Sequence, residues 1–149
     1  MLVSIINGIV YRLFEQYGED YAIYTDFVEQ DFNEPCFYIH VLDSSSSREL
    51  YNRYKRSYSF DIVYFPKKEN CIDELCEISE QLYLVLEMIS VDGNLVAGTE
   101  MKHHIQDGVL HFLVDYRMMI EKIEQKESEM MMELEWKGRV KDGAGKTTK

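Results

Sequence analysis

From about Leu50 to Phe65 the chain alternates in side-chain character without a break. Tyr54, Arg56, Tyr58, Phe60, Ile62 and Tyr64 fall on one side, and Lys55, Ser57, Ser59 and Asp61 on the other. A sustained period of two argues against a helix here and for one long β-strand, ended by Pro66-Lys67-Lys68-Glu69. Such a strand must find hydrogen-bonding partners for its backbone, so the fold is built on a sheet. A second signal specifies how part of that sheet pairs. Asp107-Gly108 suits the two positive-φ positions of a type I′ hairpin turn. A two-residue turn there sets Gln106 opposite Val109, Ile105 opposite Leu110, His104 opposite His111 and His103 opposite Phe112. Met101, His103, Ile105, Leu110, Phe112 and Val114 then share one face, and Lys102, His104, Gln106, His111 and Asp115 the other. A slip by one residue would mix the two sets, which supports this register.

Two segments carry helical spacing instead. Leu2, Ile5, Ile6, Ile9, Val10, Leu13, Phe14 and Tyr17 recur every three or four residues and stop at Gly18. A second helix takes Asn70 as its N-cap, with Asp73 and Glu74 in the first turn. Its buried face is expected to hold Ile72, Leu75, Cys76, Ser79, Leu82, Tyr83 and Leu86. Tyr21–Glu29 reads as a short strand, followed by a break at Pro35 and an alternating strand over 36–42. Asp43-Ser44-Ser45-Ser46-Ser47 reads as a polar loop tip. Toward the C-terminus, Glu121–Glu129 reads as a charged connector. Met130, Met132, Leu134 and Trp136 then alternate with Met131, Glu133 and Glu135, which gives an optional last strand, and residues 138–149 read as a disordered basic tail. The predicted order is α-β-β-β-α-β-β with that extra C-terminal strand. This is α+β, a mainly antiparallel sheet flanked by two helices. Residues 1–122 form one domain, and 123–149 the charged connector, short strand and tail.

At 149 residues and 46% hydrophobic content, the chain can bury about two-thirds of its extended surface and needs neither disulfides nor metal to fold. Cys36, Cys71 and Cys76 are odd in number and read as reduced thiols. The opening Met-Leu-Val-Ser-Ile-Ile has no basic n-region, so no signal peptide is expected, and no apolar run approaches the roughly 18 residues of a membrane span. Net charge is −11. It is uneven: residues 1–136 hold 11 basic and 26 acidic side chains, a net of −15, while the last stretch is basic. Such a body is unsuited to gripping phosphate backbones or anionic lipid.

Tests for chemistry eliminate most readings. Gly145-Lys146-Thr147 invites a phosphate-binding loop, but the position that requires the first glycine is Val140. His104 and His111 could share a soft metal across the hairpin, yet two ligands without a nearby carboxylate make a poor zinc site, and an exposed cross-strand pair is expected. His103 points the other way and reads as a hydrogen-bonded, partly buried side chain. His40 has no patterned partner, and Cys36 lies about 13 Å from it along a strand, too far for a nucleophile pair. The carboxylates are spread as solvating charge, and Ser44–Ser47 lacks a glycine-framed nucleophile elbow. No catalytic residue, metal or cofactor is assigned. One patch interleaves base and aromatic: Arg48, Arg53, Lys55 and Arg56 with Tyr51, Tyr54 and Tyr58. It suits a protected strand edge, a protein interface anchored by Arg and Tyr, or single-stranded nucleic acid.

Two stretches carry a resemblance. One is Tyr24-Thr25-Asp26-Phe27-Val28-Glu29-Gln30 followed by Phe32, Pro35, Phe37 and Ile39; the other is Phe60-Asp61-Ile62-Val63-Tyr64-Phe65-Pro66 ahead of a Glu/Leu-rich helix. Together, over roughly residues 1–120, they resemble the small tail terminator (tail completion) proteins of phages and prophages of Gram-positive bacteria. The lambda-type tail terminators share this order of elements. The resemblance implies a non-enzymatic virion assembly protein, located in the virion tail and assembled in the bacterial host cytoplasm. It implies a ring of identical subunits, commonly a hexamer, or a monomer before assembly. That ring would cap the tail tube, meet the tube protein on one side and the head–tail connector protein on the other, and let DNA pass its lumen without specific binding. On this reading no membrane is involved. The expected subunit or tube contacts are Ser45, Ser46 and Arg48, the strand residues Arg53, Tyr54, Arg56 and Tyr58, and the late-strand residues Met132, Leu134 and Trp136. Competing readings are a head–tail connector or head-closure protein, and a small cytosolic adaptor or nucleic-acid-binding domain.

Overall fold

The N-terminal apolar spacing folds as α1 (Leu2–Tyr17), which buries Ile5, Ile9 and Leu13. It stops where expected: Gly18 takes φ 76°, a conformation that favours glycine, and its N–H closes on the Phe14 carbonyl. The computed structural model describes residues 1–25, 33–124 and 132–137, with 123–124 and 132–137 described by their backbone alone. The predicted strand beyond Thr25, the residue Phe32, the tail 138–149 with its Gly145-Lys146-Thr147 run, and the side chains of Met132, Leu134 and Trp136 lie outside the described residues.

After a single 3₁₀ turn (Gly18–Asp20) come β1 (Ala22–Thr25), β2 (Cys36–Leu50), β3 (Arg53–Phe65), α2 (Ile72–Val85), β4 (Met88–Val91), β5 (Asn94–Gln106), β6 (Val109–Glu124) and β7 (Met132–Lys137). They form a seven-stranded sheet in the order β1-β2-β3-β6-β5-β4, with β7 also on β6. Among the described residues only β1–β2 is parallel; the other pairs are antiparallel. The fold is α+β with both helices packed into one core. Phe37 and Ile39 of β2, Phe60, Ile62 and Tyr64 of β3, and Leu110, Phe112, Val114 and Tyr116 of β6 meet Ile5, Ile9 and Leu13 of α1 and Leu75, Ile78, Leu82 and Val85 of α2. Polar ties fix the helices: Arg12 Nε donates to the Val85 carbonyl at 2.9 Å, Tyr17 Oη to Gln81 Oε1 at 2.8 Å, and Tyr116 Oη to the Leu86 carbonyl at 2.7 Å.

The hairpin register at Asp107-Gly108 is the predicted one: Gln106↔Val109, Ile105↔Leu110, His104↔His111 and His103↔Phe112, with positive φ at both turn residues. Four expectations are corrected. The serine run is not a loop tip: β2 continues through Asp43–Ser47 and pairs with Ser59–Lys55, so the turn comes later, at Tyr51-Asn52. Serine and aspartate have weak strand preference, but β3 already pairs with β6 on one edge and its other edge is completed by whatever follows β2. The strand absorbs the extra residue Leu42 at a register shift between Val41 and Asp43. Secondly, α2 is capped by Cys71 rather than Asn70, which has φ 53°. Its buried face is turned accordingly, taking in Ile78 and Val85 and leaving Ile72 and Cys76 exposed. Thirdly, Glu121–Glu124 is not connector but the end of β6. Finally, β4 is an additional strand between α2 and the Asp92-Gly93 turn.

That short strand is the end of the sheet, and α1 lies against it. A Cβ built on Gly8 would sit 2.6 Å from the Ser90 carbonyl oxygen, a backbone atom that cannot swing aside. Glycine at position 8 thus permits the helix to cover the β4 edge. Gly8→Ala should cost about 1–3 kcal/mol, as overpacking does in a filled core. Urea denaturation of the two chains measures it, and an unchanged midpoint would show that α1 shifts freely along β4.

Candidate functional site

Beyond the helices, β2 and β3 continue as an arm of the sheet, with β6 and β7 beside them. From Leu42 to Leu50 the residues of β2 are exposed. The shift at Leu42 sets which side chains share a face. Ser44, Ser46 and Arg48 pair with Tyr58, Arg56 and Tyr54, while Ser45 pairs with Ser57 and Ser47 with Lys55. Strand alternation therefore gathers five of the predicted contact residues, Ser46, Arg48, Tyr54, Arg56 and Tyr58, on one side of the arm. Ser45 and Arg53 fall on the other. Tyr58 is buried, at the root of this row; Tyr54 and Arg56 are half-buried.

Cations and rings interleave at the tip. The Arg48 guanidinium lies 5.9 Å from the Tyr54 ring centre and the Lys122 ammonium 5.2 Å from it. Arg48 Nε and Nη2 donate to the Tyr51 carbonyl at 3.2 and 3.1 Å, and Arg56 Nε donates to Ser46 Oγ at 3.3 Å. The turn is pinned to β6 by Asn52, whose carbonyl accepts the Lys122 N–H at 2.8 Å and whose Nδ2 donates to the Lys122 carbonyl at 3.2 Å. Leu50 and Tyr51 are 59% and 81% exposed, large apolar surface at the end of a held arm. Between Asp43 and Arg56 there are four basic and two acidic side chains, the opposite balance to the whole chain.

The sheet face away from the helices holds the polar set predicted from the hairpin. The His104 and His111 rings stack, 4.9 Å between centres and 9° between planes. Asp61 Oδ2 lies 2.9 Å from His111 Nδ1, and its Oδ1 is buried without a hydrogen-bond partner. The expectation that no carboxylate stands near this pair is thus corrected; pairing of β3 with β6 supplies Asp61, which nothing in the hairpin itself could signal. His40, expected to lack a partner, sits opposite Asp61 in register and stacks on Tyr38. His103 is hydrogen-bonded through Nδ1 to Tyr83 Oη at 2.9 Å on the helix side, as expected. Among the described residues no three His, Cys, Asp or Glu side chains converge as a metal-binding group, and no helix is long and apolar enough to cross a membrane.

The three thiols are free. Burial, helped by the Glu34 carboxylate, pushes the Cys36 thiol up to about 11, and Cys71 Sγ donates to the Lys68 carbonyl.

Such a fold, a curled, mostly antiparallel sheet with two helices in one core and a projecting arm, defines an α+β protein. The sequence matches the family model described as phage tail terminator protein over residues 4–129. The chain belongs to that family, and so to the components of phage tails. Comparison with curated proteins gives no match. One solved structure aligns at 11% identity with a TM-score of 0.43, covering 78% of this chain and 93% of its own, and adds nothing to the assignment.

Cys36 provides a check on the described core. With iodoacetamide at pH 8, Cys76 should label quickly, Cys71 more slowly and Cys36 only after denaturation, as read by mass spectrometry. Because the folded thiol titrates near 11 and an unfolded one near 9, its contribution to stability is complete below pH 9 and is lost as pH rises toward 11. Labelling of Cys36 at the same rate as Cys76 would contradict its burial.

Proposed function

We propose that this chain closes into a ring, commonly of six copies, that caps the finished tail tube, stops its growth and forms the tail side of the head–tail joint. The observation that carries this reading is the projecting β2–β3 arm, basic and aromatic on a strongly acidic body, in a chain of the tail terminator family. A tube grows because each ring's top fits the next ring's bottom, a heterologous contact that never closes along the axis. A terminator ends this by matching the tube on one face and presenting something else on the other, work that requires shape and no catalytic group. Within the ring the contact is again heterologous but closes by rotation. The arm supports such a contact, since Arg48, Arg56, Tyr54 and the exposed Leu50 and Tyr51 combine charge with apolar anchors. The strand residues Met132, Leu134 and Trp136 and the remaining arm residues Ser45, Ser46, Arg53 and Tyr58 belong to the same proposed interface. DNA crosses the lumen without specific binding, kept off the walls by like charge. The tube protein and the head–tail connector protein are the partners, and assembly takes place in the host cytoplasm.

The test reverses the arm's charge. Arg48→Glu with Arg56→Glu should cost the isolated chain's folding little, since Arg48 is exposed, half-buried Arg56 bonds the exposed Ser46, and surface charges contribute about 0–1 kcal/mol each. The same pair should abolish rings in negative-stain images and native mass spectra of chain mixed with tail tubes. Rings that survive both changes would exclude the arm as the contact. In phage lacking the protein, overlong tubes would support tube capping. Tubes of normal length without heads would instead favour a connector role.

A further inference from the structure

We propose that His104 and His111 form a binding site for a divalent transition-metal ion, with Asp61 as the group that positions it. The two imidazoles are opposite each other on adjacent strands, fixed by the two-residue turn at Asp107-Gly108, and stack with centres 4.9 Å apart. Two Zn–N bonds of about 2.0–2.1 Å span at most roughly 4 Å. The 4.9 Å separates ring centres, not nitrogens, so closing the pair on one ion requires the near-parallel rings to tilt until their nitrogen lone pairs converge, a matter of side-chain rotation on an exposed sheet face. Asp61 Oδ2 already occupies His111 Nδ1 at 2.9 Å. With the Nδ1 proton directed to the carboxylate the Nε2 lone pair is free, the arrangement in which a carboxylate orients a metal-ligating histidine. His104 is exposed, so water can enter to fill the remaining positions of the ion. Asp61 is held in turn by the strand: β3 sits between β2 and β6, so its side chain is presented at a fixed place beside His111. Imidazole nitrogens select zinc, copper or nickel over magnesium or calcium, which prefer oxygen. The site is independent of the assembly reading and lies on the sheet face opposite the Arg48–Tyr54–Arg56 row, with Asp61 eight residues along β3 from Arg53.

The chain has only four histidines, and each is placed: His103 faces the helices and His40 stacks on Tyr38. Titration of the untagged, chelator-stripped full chain with Zn²⁺ in a calorimeter should give one saturable ion per chain. His104→Ala should weaken binding by more than about 100-fold, and Asp61→Asn by about 10–100-fold at the same stoichiometry. His103→Ala should leave it unchanged. On the wild-type chain, Zn²⁺ should move the imidazole proton resonances of His104 and His111 and not those of His40 and His103, a readout that does not depend on any variant folding. Absence of saturable binding below about 1 mM, equal weakening by His103→Ala, or equal movement of all four histidine signals would overturn the site.

Discussion

Pairing of β3 with β6, in unbroken antiparallel register from Arg53↔Glu121 to Tyr64↔Leu110, is the interaction on which the rest of the molecule hangs. On one face it brings Phe60, Ile62 and Tyr64 beside Val114, Phe112 and Leu110, the aromatic and branched floor on which α1 and α2 rest. On the other it sets Asp61 next to His111. Its far end outlasts the helices and gives the arm a backbone. β2 adds to the outer edge of β3, and β5 and β7 share the outer edge of β6, β5 covering Val109–Tyr116 and β7 covering Met119–Glu124. The length of this one pairing is why a small core can carry a long projection.

The arm is stiff for the same reason. An isolated two-stranded hairpin is marginal in water, but β3 keeps β6 as a third strand along its whole length, and Asn52 ties the turn to Lys122 by two hydrogen bonds. Side chains at the tip are therefore presented at low entropic cost. Tyr54, set between Arg48 and Lys122, already holds two cations near one ring. A partner surface meeting this row meets oriented charge and exposed apolar area together.

Much of this was legible in the residues. The hairpin at Asp107-Gly108 was readable to the residue because its turn chemistry and its polar–apolar sorting agree. α1 was equally plain, with its apolar spacing and a glycine at the stop. The serine run failed for a physical reason: local preference favours a turn, while the long-range demand of the β3 edge overrules it. Once that run is a strand, the register shift at Leu42 decides which of the contact residues share a side, and no spacing rule foresees a bulge. β4 left only Ile89 and Val91 as a trace, too short to separate from the end of α2. Asp61 was visible as a member of the alternating strand, but its closeness to His111 depends on which strand β3 pairs with, a fact of topology.

Charge decides how copies of such a chain can meet. Each carries −11 overall, so at a distance copies repel. At physiological salt the field is screened beyond about 8 Å, so repulsion between bodies acts over the last approach, where close opposite pairs must outweigh it. The basic tip is then too small to steer over long range against the body's charge. In the proposed ring it acts only once surfaces touch, where Arg48 and Arg56 can find carboxylates and Leu50 and Tyr51 can leave water. An assembly joined in this way is held by short-range complementarity and is slow to form between free copies. A surface that gathers several chains at once, such as the end of a tube, removes that barrier, because it supplies the local concentration that mutual repulsion denies.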